Sequence, residues 1–151
     1  MLIQEWGNAT WFLFHTLAYK LKDQESEHAP VLLNIFIGIC NNLPCPDCRQ
    51  DASNMLKTAN TNLVKTKYDL IRFMWQFHNF VNRKLDKKET TIEEHDVKYE
   101  KAITHQIVNN YVRQMSKNAN NRYAMLDAFR RKENTEYVTT YYAMNKNLFN
   151  P

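Results

Sequence analysis

The tetrapeptide Cys45-Pro46-Asp47-Cys48 sets two thiols two residues apart, with a proline where a helix would take its first turn. Thiols at that spacing can close a small disulfide ring. A helix that opens there turns its free N–H groups and the positive end of its dipole toward the sulfur, which favours the thiolate. The result is a dithiol that can be oxidised and reduced reversibly. The same spacing also supplies two ligands of a zinc site, but a structural site needs four, and the chain adds only Cys40 and scattered histidines. Cys40 lies on an apolar stretch with no partner cysteine. It reads as a small core hydrophobe, with a resolving thiol as the alternative.

Two further groups of residues could hold something beside that pair. In Trp6-Gly7-Asn8-Ala9-Thr10-Trp11-Phe12-Leu13-Phe14-His15, Gly7, Trp11, His15 and then Tyr19 recur every four residues and so share one helix face. A glycine inside a helix costs about 1 kcal/mol against alanine, so Gly7 points to a flat group approaching the backbone there. An aromatic stripe with one histidine is also an ordinary core face. In His78-Asn79-Phe80-Val81-Asn82-Arg83-Lys84-Leu85-Asp86-Lys87, His78 and Asn82 share a face, and the helix ends strongly basic. Lys84 and Lys87 would suit phosphates, although a basic C-terminus is equally a response to the helix dipole.

Helices must position these groups. Gly 2 and Pro 4 among 151 residues leave few turns for a many-stranded fold. The spacing predicts one helix from Trp6 to Leu21 and a second from Pro30 toward Ile39 that is apolar nearly all round. That second helix must be buried on several sides, as the centre of a bundle, as half of a dimer interface, or as both. Pro44 stops it. Cys45 and Cys48 open a third helix to about Lys57, and a fourth runs from about Tyr68 to Leu85. Thr91-Ile92-Glu93-Glu94 is a capping-box pattern that starts a fifth, continued through Ile103, Ile107, Tyr111 and Met115. Asn118, Asn120 and Asn121 read as a turn, and Tyr123, Leu126, Phe129 and Tyr137 as a last helical segment. The expectation is an all-α fold, an antiparallel helical bundle.

At 151 residues the chain makes about one domain, and a 44% hydrophobic content excludes a disordered tail. The net charge of +4 is spread among acids, and the short run Arg130-Arg131-Lys132 is no basic stripe, so no nucleic acid partner is expected. Met1 to Trp6 lacks a basic start and an apolar run, and no segment reaches the roughly 18 apolar residues of a membrane span. The expectation is a soluble cytoplasmic protein without a membrane partner. Three cysteines cannot staple a secreted scaffold, and a close pair in a chain that stays inside reads first as redox or metal chemistry.

Taken together, the three segments resemble the Erv/ALR family of FAD-linked sulfhydryl oxidases, in the order W-G-x3-W-x3-H, C-P-x-C and H-N-x-V-N-x2-L-x-K, over about Trp6 to Tyr99. The resemblance implies a helical bundle, here of four helices, that holds FAD beside the disulfide; the residue spacing adds a fifth short helix and a C-terminal helical extension that lies outside the resemblance. The expected division is an oxidase bundle over residues 1–105 and an extension of unassigned role over 106–151. Carried over residue by residue, Gly7, Trp11 and His15 would contact the flavin nucleotide, as would His78, Asn79, Val81, Asn82, Leu85 and Lys87. Lys98 and Tyr99 stand where the family has a basic-aromatic pair near the adenine end.

The resemblance also implies roles for the cysteines. A substrate thiolate attacks Cys45, the released Cys48 thiolate reduces the flavin, and oxygen takes the electrons to give hydrogen peroxide. The chain departs from cellular members in two respects: it has no structural cysteine pair around the H-N-x-V-N segment and no second CxxC to shuttle electrons. This reduced form looks like the oxidases of large cytoplasmic DNA viruses, which form disulfides in virion proteins. It implies that Cys45 meets a protein thiol substrate or a thioredoxin-like partner directly, and that the chain forms a homodimer, for which Val31–Ile39 offers apolar surface. The competing readings are a zinc-stabilised helical binding module using Cys40, Cys45, Cys48 and a histidine, and a cofactor-free disulfide carrier.

Overall fold

The structure, a computed structural model, describes residues 2–117 and 124–151. Seven α-helices account for most of them: α1 (Leu2–Lys20), α2 (Ala29–Cys40), α3 (Pro46–Thr58), α4 (Lys67–Lys84), α5 (Ile92–Glu100), α6 (Thr104–Met115) and α7 (Ala124–Asn145). Among the described residues the β pairing is confined to an isolated bridge between Leu21 and Phe149. The fold is all-α, as the turn-poor sequence implies. The proposed turn at Asn118, Asn120 and Asn121, and Tyr123, lie outside the described residues.

Local signals explain most boundaries. Thr66 caps α4 through a full capping box with Asp69, and the Thr91 hydroxyl accepts the N–H of Glu94 to start α5. The end of α4 is a Schellman turn. Lys87 N–H donates to the Asn82 carbonyl at 2.7 Å and Asp86 N–H to that of Arg83 at 3.2 Å. Asp86 takes φ 55° there, the left-handed conformation that aspartate tolerates better than most side chains.

α1 and α4 run antiparallel, with Lys67 near Asp23 at one end and Phe77 against Trp11 farther along. Leu13, Phe14, Leu17, Leu32, Phe36, Ile39, Leu70 and Met74 fill the space between α1, α2 and α4. The same core continues into Val108, Tyr111 and Met115 of α6 and Val138 and Tyr141 of α7. The segment after residue 105 therefore packs on the bundle and shares its centre. α2 is buried partly by its own chain: Tyr137 of α7 lies on Gly38, where a Cβ would come within 3.1 Å of its hydroxyl. Val31 stays exposed.

The single fifth helix expected from Thr91 to Met115 is two helices. The break at Lys101-Ala102-Ile103 has a tertiary cause, since Thr104 donates its N–H to the Pro151 carbonyl at 2.8 Å and its hydroxyl to the Asn150 carbonyl at 2.7 Å. The orphan donor that a helix start leaves is satisfied by the far end of the chain. The run Arg130-Arg131-Lys132 also separates: Arg130 reaches Asn42, Arg131 is buried against the last carbonyls of α6, and Lys132 is exposed.

Candidate active site

Cys45 and Cys48 are joined as a disulfide, with their Cα atoms 5.2 Å apart. Cys45 is the N-cap of α3, Pro46 fills the first helical position, and the Cys45 sulfur accepts the Cys48 N–H at 3.2 Å. A thiolate released at Cys45 would thus meet a free helix donor and the positive end of the dipole. Both cysteines are half-buried, whereas Pro46 and Asp47 between them are exposed. Cys40 is free and buried in the core, where burial pushes its thiol up to about 12. It is a core residue, and its thiolate is suppressed.

The helix face predicted from four-residue spacing forms a wall. His15 and His78 share a hydrogen bond of 2.8 Å between Nε2 and Nδ1, with rings 17° from parallel and centroids 5.0 Å apart. Those values place the two imidazoles edge to edge in one plane. Trp11 stacks on that plane, 4.0 Å from His78 at 7° and 5.6 Å from His15 at 13°. Gly7 lies one turn earlier on α1, and a Cβ built there would meet no atom within 4 Å. A flat ring system laid along this face would find Trp11 beside it and a backbone without a side chain at Gly7. The donor set fits a dinucleotide of the flavin type, with Lys87 and Lys98 as exposed cations for phosphates.

Sequence reasoning missed the groups behind the wall. His95 is buried and meets His15 edge to face at 4.0 Å. The Tyr19 hydroxyl hydrogen-bonds Asp96 and lies 3.0 Å from His95 Nδ1. A carboxylate cannot donate, so Tyr19 gives its proton to Asp96 and its oxygen accepts from His95 Nδ1–H. That order leaves His95 Nε2 without its proton; it and His15 Nδ1 are buried with no partner. Burial drives His15 well below the ordinary histidine value, and carries His78 down to about 3 and His95 to about 4. All three are neutral near pH 7. The spacing of His95 from Tyr99, one turn apart on α5, was the available signal; both rings pack on each other at 4.6 Å.

Tyr99 is itself buried, lying against Phe12 and His15, and so backs the histidines rather than edging an open pocket. Lys98 extends over the Phe12 ring at 4.8 Å. Val81 packs on the core, and Leu85 is exposed at the end of α4. Asn79 and Asn82 are buried, and their side chains serve the turn that follows. Asn79 accepts the Thr90 N–H at 3.0 Å, donates to the Thr90 carbonyl at 2.9 Å, and takes a bond from Asn82 at 3.3 Å. In this structure both asparagines hold the 85–91 turn, and with it Lys87, in place. Asn79→Ala should lower stability by about 1–3 kcal/mol by leaving the Thr90 N–H unpaired, while Trp75 still donates to the Thr90 carbonyl; urea denaturation measures this, flavin retention should weaken in parallel, and unchanged values on both counts would refute this positioning role.

Possible metal ligands gather differently from the cysteine-based zinc site. Among the described residues the grouping within ligating reach is His15, His78 and His95, whose ring nitrogens lie within 4.8 Å of one another. Cys45 and Cys48 are bonded to each other, and Cys40 stands apart in the core. No helix is long and apolar enough to cross a membrane among those residues.

The family model described as the Erv1 / Alr family matches residues 8–100. "Sulfhydryl oxidase 1" of Arabidopsis thaliana is 33% identical over 93 residues, which cover 62% of this chain and 17% of that protein. The "FAD-linked sulfhydryl oxidase" of African swine fever virus (isolate Tick/Malawi/Lil 20-1/1983) is 30% identical over 103 residues, covering 68% of this chain and 86% of the viral protein. A "Mitochondrial FAD-linked sulfhydryl oxidase" of Saccharomyces cerevisiae is 28% identical over 86 residues, 56% of this chain and 45% of the yeast one. The chain thus spans under a fifth of the Arabidopsis relative and most of the viral one. No solved structure matches.

Proposed function

The chain belongs to the Erv1/Alr family, and from that premise we propose that it is an FAD-linked thiol oxidase which forms disulfides in protein thiols through Cys45 and Cys48. The observation that carries the reading is the disulfide at the N-terminus of α3, with the Cys45 sulfur held by the Cys48 N–H. A substrate thiolate attacks the Cys45 sulfur, a mixed disulfide forms, and the electron pair of the broken bond leaves on Cys48. A second substrate thiolate then displaces Cys45, whose thiolate is the better leaving group because the helix donor stabilises it. The chain is left as a dithiol carrying the two electrons. FAD, when bound, would supply the two-electron acceptor and the route to oxygen, with hydrogen peroxide as the product. Trp11, His15 and His78 would hold the flat part of the cofactor and Lys87 and Lys98 its phosphates, with Cys48 as the cysteine that would hand electrons to it.

With no cysteine beyond Cys40 outside the pair, no shuttle dithiol lies within the chain. In this reading Cys45 meets a protein thiol or a thioredoxin-like partner directly. The similarity to viral oxidases along most of their length supports a place in cytoplasmic disulfide formation during virion assembly. A homodimer through the part of α2 around Val31 that α7 leaves open is the expected assembly.

The test is an absorption spectrum of the purified protein, followed by dithiothreitol under air with oxygen uptake recorded. A flavin spectrum that bleaches and recovers while oxygen is consumed is expected. A colourless protein, inert after FAD is supplied and carrying bound zinc, would replace the oxidase with a metal-binding module.

A further inference from the structure

α3 carries the disulfide yet has a shallow hold on the bundle. Ala52 is its one fully buried side chain, and Met55 and Leu56 only partly cover the core. Polar ties supplement this packing. Asp51 pairs with Lys84 of α4 at 2.5 Å. Arg49, the residue after Cys48, reaches back to donate from Nη1 to the Leu43 carbonyl at 2.5 Å. Leu43 is itself fixed, since its side chain lies in the core and Pro44 after it is buried. The Asn42 carbonyl before it accepts from the Asn134 side chain of α7 at 3.0 Å. The Arg49 side chain thus spans both cysteines, and its bond closes residues 43–49 around the ring of residues 45–48. Its N–H adds a helical bond to the Cys45 carbonyl at 3.0 Å. Arg130 and Asp127 of α7 act on the guanidinium in opposite senses, and its directed partner is the Leu43 carbonyl.

Resting on the thiol-oxidase reading above, we propose that Arg49 is a positioning residue for the Cys45–Cys48 pair: it holds the turn before Cys45 while the disulfide is open, so that the two sulfurs stay placed to close again. Each turnover breaks the S–S bond, and with it the covalent tie between the N-cap and the first turn of α3. The ties left between the two cysteines and their neighbours are then a sulfur acceptor, which is a weak cap, and the backbone bond of the first turn. Every backbone dihedral freed around Cys45 lowers the effective concentration of its sulfur at Cys48. The Arg49 bracket limits that freedom, because one end is anchored in the core at Leu43 and the other in the helix. It therefore favours the closed ring over the open pair. The charge of the guanidinium acts the other way, since a cation near a thiolate favours the reduced form. The two roles predict shifts of opposite sign.

Arg49→Met keeps an apolar stem and removes the donors. Parent and variant, as FAD-loaded full chains, are equilibrated without air in glutathione buffers of graded ratio, quenched in acid, alkylated and read by mass spectrometry. The exchange converts the protein disulfide and two glutathione thiols into the protein dithiol and one glutathione disulfide, so the oxidised fraction gives the equilibrium constant of the pair. The expected result is a constant for closing the ring about tenfold lower in the variant, the scale of one hydrogen bond from a charged donor, which makes the potential about 30 mV less negative. An unchanged constant would overturn the bracket, because a residue that only supports the fold stabilises the open and closed forms alike. A shift toward the disulfide would also overturn it and leave Arg49 as a charge that stabilises the thiolate. If Arg49→Met does not fold, Arg49→Gln, whose shorter amide falls short of the Leu43 carbonyl, carries the same expectation and the same refutations. Absence of oxygen uptake with dithiothreitol in the parent protein would count against the oxidase reading instead. The glutathione equilibrium needs no oxygen and decides the bracket in either case.

Discussion

Cys48→Ser is expected to leave flavin bound and reduce oxygen uptake by at least about a thousandfold, the usual scale for removing a covalent catalytic group. A serine hydroxyl cannot close the ring with Cys45, so no bond remains for a substrate thiolate to break. The fold should hardly notice. The ring joins residues three apart, and short loops contribute little chain entropy. The two cysteines then differ in a way that the spectrum does not show but covalent chemistry does. Substrate disulfides added to Cys48→Ser should accumulate as a mixed disulfide on Cys45, because the resolving sulfur is gone and Cys45 has the stabilised thiolate. Cys45→Ser should be equally inactive without this trapping. Mass spectrometry under non-reducing conditions reads both. Full turnover in Cys48→Ser would remove the pair from the mechanism, and trapping on Cys48 in Cys45→Ser alone would reverse the assignments.

Acid should unfold this protein through its histidine wall. His15, His78 and His95 all lie below their ordinary 6.5, first because burial penalises the charged ring, and then because Lys98 and, for two of them, neighbouring histidines oppose added positive charge. The unfolded chain therefore binds more protons than the folded one once pH falls below about 6.5. Stability from these groups is complete above that value and declines as pH drops toward about 4, where His95 titrates, and about 3, where His78 does. Each group contributes at most about 1.4 kcal/mol per pH unit. Urea denaturation between pH 7.5 and 4.5 should show the free energy falling steeply below pH 6, with flavin fluorescence appearing in parallel as the cofactor leaves. His95→Phe should flatten the slope by about a third. A level profile from pH 7 to pH 5 would contradict the neutral, buried state of the wall.

The local features of this chain were legible because they depend on residues a few positions apart. Scarce turn formers, the four-residue recurrence from Gly7 to Tyr19 and the apolar run from Pro30 toward Ile39 were enough for an all-helical fold. Thr91 and Pro46 mark helix starts by the chemistry of their own side chains. The four-residue spacing of Trp11, His15 and Tyr19 placed them on one wall, and the two-residue gap between Cys45 and Cys48 dictated their ring.

What the sequence left undetermined depends on partners far along the chain. The break between α5 and α6 has no glycine or proline to announce it, because its donors are taken by Asn150 and Pro151. From composition alone α2 must be buried on several sides, at a bundle centre, at a dimer face or at both, and the part that its own chain covers is set by Tyr137, 99 residues later than Gly38. Asn79 and Asn82 carry the right residue types for a ligand, but their hydrogen bonds go to Thr90 and to each other. His95 entered the wall only when α5 folded across α1 and brought Tyr19 within reach of it and of Asp96. A hydrogen-bonding group takes its role from the partner that reaches it, and for buried groups that partner is chosen by packing rather than by neighbours in sequence. Periodicity therefore determined which faces are apolar and where the thiols stand, while tertiary packing decided which polar groups hold the fold together and which remain to meet a cofactor.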